Sequence, residues 1–227
     1  WDLNTGILSG DAMLIRAYQL FENYPPETFR ELAKLFSKTA LEVCEGQQYD
    51  IDFETRLQVS IPEYLKMIEC KTAVLVGAAM QMGAIVANAP IEDQVRCYDF
   101  GKNLGIAFQL QDDYLDAFGN PEIFGKQVGG DILENKKTYL FLKAIENGSP
   151  EVRTELTQLF QNNALKPENK VSKTLELFVR SEANIATKAA ISFYTKAAFD
   201  VLETINISGP NKQILKDFGT ELMTRDV

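Results

Sequence analysis

The sequence predicts an all-α protein, a single bundle of long helices packed side by side. Three observations carry that reading. Apolar residues recur at helical spacing along almost the whole of the 227-residue chain. No segment alternates strictly between Asn-Gly or Asp-Gly turns, as hairpin strands would. Ser60-Ile61-Pro62-Glu63 has the Ser-x-x-Glu form of a capping box with proline in the first turn, which marks a helix start. Composition changes nowhere as it would at a linker, and there is no repeat or low-complexity tract, so residues 1–227 are read as one domain.

The elements follow in order. A first helix is expected from Thr5 to Glu22, stopped by Tyr24-Pro25-Pro26, and a second from Glu27 to about Asp50. From the capping box a third runs to about Ala89, where Pro90 ends it. Ala73 to Ile91 is nearly all small or apolar, but Gln81, Asn88 and Pro90 interrupt it, so a helix buried on all sides fits better than a membrane span. A fourth helix spans Glu92 to Phe118, and the stretch from Gly119 to Gly130 breaks the pattern. Five more are expected, at Lys136 to Asn147, Pro150 to Asn162, Lys170 to Glu182, Ala183 to Ile205 and Asn211 to Thr224.

Composition narrows the chemistry. The net charge is −9, which repels nucleic-acid phosphates, and no dense basic stripe compensates. There is no histidine, so imidazole triads and histidine-bearing zinc sites are excluded. Cys44, Cys70 and Cys97 are too widely spaced for a metal knuckle and read as three buried, reduced thiols, which points to the cytoplasm. No basic start followed by an apolar run opens the chain.

The fourth helix carries Gln109, Asp112, Asp113 and Asp116 on one narrow stripe, with Phe100, Leu104, Ala107, Tyr114, Leu115 and Phe118 on the opposite, core-facing side. A solvated acidic face is the plain alternative. Against it, aspartate is a poor mid-helix residue, and like charges four apart cost about 0.2–0.5 kcal/mol per pair, a repulsion that a divalent cation removes. Mg²⁺ is held by one or two carboxylates together with phosphate oxygens and water, a demand this stripe meets. The next segment, Gly119 to Asp131, holds Gly119, Gly125, Gly129, Gly130 and Lys126, with Lys136, Lys137 and Thr138 just beyond. It is either a plain glycine-rich loop or a phosphate grip of backbone N–H groups and lysine charge, and it lacks the P-loop spacing.

Phe108-Gln109-x-x-Asp112-Asp113-x-x-Asp116, then Phe124-Gly125-Lys126-x-x-Gly129-x-Asp131 and Asn135-Lys136-x-Thr138, closely resembles the second aspartate-rich motif and following loop of the trans-type isoprenyl diphosphate synthases, the farnesyl and geranylgeranyl diphosphate synthase family. Leu8-Ser9-Gly10-Asp11 resembles its LxGD segment, Gly46-Gln47-x-x-Asp50 its GQxxD segment, and Lys71-Thr72 its lysine-threonine pair. The resemblance is nearly continuous from Leu8 to about Leu142. Taken alone, Gly10 would serve close helix packing, Gln47 with Asp50 a helix end, and Lys71 a snorkelling surface charge.

The resemblance implies an isoprenoid-synthase bundle around a central cavity and Mg²⁺-dependent condensation of isopentenyl diphosphate with an allylic diphosphate, giving a short all-trans prenyl diphosphate in a homodimer. It implies Mg²⁺ held by Asp112, with Asp113 and Asp116 in support. Lys71, Lys126 and Lys136 would grip the allylic diphosphate beside Thr72, and Gln109 would orient it or a metal-bound water. The released diphosphate would take the final proton, so the lack of histidine is no obstacle. Gly77, Ala78, Ala79 and Gly83, with Met80 and Met82, would wall a cavity for the apolar chain, and Arg225 resembles a basic tail that closes over the site. The family's first aspartate-rich motif and its arginine pair lie upstream of LxGD, whereas here nine residues precede Gly10 and hold only Asp2. The chain is therefore expected to be an N-terminally incomplete piece or a subunit that does not turn over alone. Two other readings share the resemblance: a terpene cyclase or head-to-head synthase of the same fold, and a non-catalytic partner of a full-length synthase.

Overall fold

A computed structural model describes residues 2–120, 128–161 and 165–224. Lys126 and Arg225 lie outside the described residues. Within them the chain is helical throughout, without a strand. The helices are α1 (Leu3–Gln19), α2 (Pro26–Thr55), α3 (Ile61–Ile68), a π turn (Glu69–Ala73), α4 (Val74–Val86), α5 (Ile91–Phe118), α6 (Gly130–Leu133), α7 (Tyr139–Asn147), α8 (Pro150–Gln161), α9 (Pro167–Arg180), α10 (Ala183–Thr204) and α11 (Gly209–Met223).

α5 is the axis of the bundle, packed along its length between α4 and α10. Phe100, Leu104, Ala107 and Leu110 are fully excluded from water, each large side chain contributing about 1.5–3 kcal/mol. The expected one-sided core face is corrected here. Ile106, Leu110, Asp113 and Ala117 on the acidic side are buried too, while Tyr114, Leu115 and Phe118 are only half-buried. The crossing with α4 is close because glycines meet backbone there. A Cβ on Gly101 would lie 2.7 Å from the Val76 carbonyl oxygen, and one on Gly105 2.7 Å from the Ala73 Cα.

The capping box forms as expected. Ser60 Oγ accepts from the Glu63 amide, and Glu63 Oε2 accepts from the Ser60 amide at 2.8 Å. The helix it opens is interrupted by the π turn, an extra-residue bulge that the periodicity did not reveal. The run Ile61–Val86 is long and apolar enough to cross a membrane by length and composition. It is not buried on all sides. Leu75, Ala79, Gly83 and Val86 face outward, while Gly77 and Ala78 are packed in the bundle. The small residues expected to wall a cavity are thus divided between the α5 contact and the surface.

Other expectations also shift. α2 runs past Asp50 to Thr55, so Gln47 and Asp50 do not end a helix. Residues 136–138 form an extended link rather than the first turn of α7. The link follows Asn135, whose φ of 59° stops α6. Of the three thiols only Cys70 is buried, with Cys44 exposed and Cys97 intermediate. Among the described residues α1 has no buried side chain, Gly10 has no neighbour to pack against, and Leu3, Ile7, Leu8, Met13 and Ile15 are all more than half exposed.

Opposite outcomes are expected for two helical glycines. Gly46→Ala would drive a Cβ to 2.6 Å from the Cys70 carbonyl carbon, and overpacking of that kind costs about 1–3 kcal/mol. Gly10→Ala meets open space and should gain about 0.5–1 kcal/mol. Urea unfolding of the two variants beside the parent chain reads the difference in sign.

Candidate functional site

α5 delivers its acidic stripe to a cavity of about 240 Å³, walled by the end of α2, by α3 and the π turn, and by α6 with the link to α7. Of the residues singled out in the sequence, Asp112, Asp113, Asp116, Gln109, Lys71 and Lys136 all line it. Thr72 touches it through Gln109, since Thr72 Oγ1 donates to Gln109 Oε1 at 3.0 Å.

The floor is apolar, made by Phe53, Met67 and Ile68 from the cluster that also buries Ile106 and Leu110. Over it, one hydrogen-bonded chain joins three elements. Gln109 Nε2 donates to Asp113 Oδ1 at 2.9 Å, and the Tyr64 hydroxyl donates to Asp113 Oδ2 at 2.5 Å. Both Asp113 oxygens are therefore engaged by the protein, and so are both ends of the Gln109 amide. Tyr64 was not singled out in the sequence. Its spacing was the available signal, because Tyr64, Ile68 and Lys71 share one helical face at i, i+4 and i+7.

Asp116 bridges to the opposite wall. Its Oδ2 accepts from the Asp131 amide at 3.0 Å and its backbone carbonyl from the Gly129 amide at 2.6 Å, so it satisfies the opening amides of α6. Gly129 has a φ of 88°, and its αL conformation also lets Val171 of α9 pack against its Cα, where a Cβ would lie 2.7 Å from Val171 Cγ2.

The lysines sit on irregular backbone. Lys71, in the π turn, pairs with Asp50 at 2.6 Å. Lys136 pairs with Asp131 and Glu134, each at 2.9 Å. Burial pulls the Lys136 pKa down, but those two carboxylates more than offset it and hold it well above the usual lysine range. Lys137, also missed as a site residue, donates to the Phe53 carbonyl at 2.8 Å and caps the end of α2.

Among the described lining residues, six carboxylates (Asp50, Glu54, Asp112, Asp113, Asp116 and Asp131) face three lysines (Lys71, Lys136 and Lys137). The excess of negative charge registers in the titration. Burial, then the charge of Asp131, pushes Asp113 up to about 7 against the hydrogen bonds from Tyr64 and Gln109. Burial also raises Asp116. Among the described residues no three carboxylates converge into a preformed metal cage. The donor set nevertheless fits Mg²⁺, which takes one or two carboxylates and completes its shell with phosphate oxygens and water. Of the three α5 aspartates on the cavity wall, Asp112 and Asp116 stand outside the Tyr64 hydrogen bond, Asp116 with one oxygen on the Asp131 amide.

The family model of polyprenyl synthetases matches residues 1–178. The chain is 33% identical to a short chain isoprenyl diphosphate synthase of Methanothermobacter thermautotrophicus over 224 residues, 97% of this chain and 68% of that protein. It is 39% identical to a geranylgeranyl diphosphate synthase of Methanosarcina mazei over 150 residues, 65% of this chain but only 46% of the relative's length. Among solved structures, a geranylgeranyl pyrophosphate synthase crystal structure superposes with a TM-score of 0.94 at 54% identity, covering 100% of this chain and 70% of that one. A geranylgeranyl pyrophosphate synthetase of Pyrococcus horikoshii gives 0.89 at 27% identity, covering 98% and 68%.

Asp113 fixes a pH dependence. Its carboxyl ordinarily titrates near 3.8 and in the folded chain near 7, so between those values the folded state holds a proton the unfolded state has lost. Its contribution to stability therefore falls as pH rises from about 4 to 7 and stays low above that. Asp113→Asn should raise the melting temperature at pH 8 and have little effect at pH 4, which thermal melts at the two pH values measure.

Proposed function

The chain belongs to the polyprenyl synthetase family, and from that premise we propose that its cavity is the allylic-diphosphate side of a Mg²⁺-dependent trans-prenyltransferase site. The reaction is the condensation of an allylic diphosphate with isopentenyl diphosphate to a short all-trans prenyl diphosphate. The observation that carries this reading is the meeting of Asp112, Asp116, Lys71 and Lys136 around one small polar cavity with an apolar floor.

In this proposal the allylic carbon–oxygen bond breaks with its electron pair leaving on the diphosphate, the isopentenyl double bond attacks the allylic cation, and a proton passes to the departed diphosphate. Asp112 and Asp116 would hold the metal, which when bound would supply Lewis-acid neutralisation of the charge on the leaving diphosphate. Lys71 and Lys136 approach the same diphosphate as point charges, their present carboxylate partners exchanged for phosphate oxygens. Lys126 belongs to the proposed grip by its place in the sequence. Asp113, with both oxygens engaged, keeps Gln109 and Tyr64 in register. Asp113 thus supports the metal site through its neighbours. Thr72 and Gln109 hold the wall beside Asp113.

The proposal includes one all-α domain, a cytoplasmic setting and a homodimer. The dimer is supported by α1, whose exposed Leu3, Ile7, Leu8 and Ile15 are apolar side chains in need of cover. Because the chain spans 68% of the Methanothermobacter relative and 46% of the Methanosarcina one, the proposal concerns the half of the reaction these residues serve.

Asp112→Ala tests it. Condensation of labelled isopentenyl diphosphate with an allylic diphosphate, assayed in a protein carrying this chain and the family's first aspartate-rich motif, should drop about 100-fold or more, roughly 2.7 kcal/mol of transition-state stabilisation. The far-ultraviolet dichroism should stay unchanged. Full activity in the variant would refute the assignment.

A further inference from the structure

Lys170 is a buried cation outside the cavity. It lies in α9, is 4% exposed, and donates to Asn135 Oδ1 at 2.5 Å, with its ammonium 5.7 Å from the centre of the Phe160 ring. Burial pulls its pKa down. A lysine placed there on a neutral amide is costly to desolvate, so its presence calls for a role in holding that amide.

Asn135 occupies the corner from which the site's cationic wall departs. Its amide donates to the Ile132 carbonyl at 3.2 Å, and its positive φ turns the chain out of α6. The next residue is Lys136, whose amide donates to the Asp131 carbonyl at 2.9 Å and whose Nζ pairs with the Asp131 carboxylate. The other end of the same short segment is braced by Val171 against Gly129. Adjacent residues of α9 therefore hold both ends of Gly129–Asn135, the segment that carries the Asp131 amide to Asp116.

We infer that Lys170 is a positioning residue for the diphosphate side of the site, acting through the Asn135 amide on Lys136 and Asp131. The inference rests on the reading of the cavity given above. α9 thereby becomes part of the site's support, although none of its residues lines the cavity.

The test is calorimetric titration of the chain with inorganic pyrophosphate in Mg²⁺, with a thermal melt of each variant. Lys170→Met keeps the aliphatic stem and removes the ammonium, and should weaken binding about tenfold or more. Lys173→Met removes the same charge from an exposed position on the same helix and should bind within about twofold of the parent. Asn135→Gly tolerates the positive φ, should show the same loss as Lys170→Met, and carries the test where Lys170→Met does not fold. The double variant should bind no more weakly than the worse single one, as expected of one shared contact. Parental affinity in Lys170→Met or Asn135→Gly overturns the inference, as does an equal loss in Lys173→Met or multiplying effects in the double variant. A parent chain that binds no pyrophosphate overturns the reading of the cavity itself, and the inference with it.

Discussion

Repulsion among carboxylates crowded onto one small cavity is the constraint that the surrounding architecture answers. Asp113 and Asp116 are four residues or fewer from each other and from Asp112 on α5, and Asp131 faces them from α6. Burial and mutual charge raise both Asp113 and Asp116, so the folded state carries an unfavourable term at neutral pH. The protein reduces it by hydrogen bonds rather than by counter-charge alone. Tyr64, Gln109 and the Asp131 amide each donate to an acid, and each belongs to or stabilises a different wall.

Those donors stand in place because of backbone features remote from charge. The Tyr64 hydroxyl is aimed by the capping box one turn earlier, which fixes where α3 begins. Thr72 reaches Gln109 from the π turn, against which α2 lies at Gly46 without a side chain between. Gly101 and Gly105 bring α4 onto α5 along the same helix that bears the acids. Close backbone contact of this kind leaves little room for sliding, and pre-organised groups at a charged site depend on that rigidity.

Sequence pattern made the helices legible because their determinants are local. The capping box, Pro90 and the apolar spacing each act within a few residues, and the start of α3 and the boundaries of α5, α8 and α10 follow them closely. The acidic stripe was equally legible, since helical geometry alone puts Gln109 and the three aspartates on one side. What escaped was set by tertiary contact. The π turn packs its backbone against Gly46 of α2, a contact distant in sequence, and the burial of α5 on both faces depends on α3 and α7 closing over its acidic side. The exposed face of α4 is open because no described element lies there, although its composition reads as interior. Lys137 and Lys170 escaped because a lysine that caps a distant helix or grips a distant amide carries no mark in its own neighbourhood.

The division of labour between the two halves of the cavity follows from where each charge is mounted. The acids stand on a 28-residue helix clamped between two others, where a carboxylate has little freedom and its repulsion cannot be relaxed by moving. Lys136 comes from an extended link, backbone that makes fewer regular hydrogen bonds and adjusts at lower cost, and Lys71 reaches the cavity on a long side chain from the tightly packed π turn. Each is already paired with a carboxylate, so taking a phosphate oxygen instead exchanges one ionic contact for another and leaves a negative group behind to be neutralised. A ligand that brings both anionic oxygens and a divalent cation meets both demands at once. The same cavity is correspondingly poor for an anion alone, which would add to the repulsion, and for a neutral ligand, which would relieve none of it.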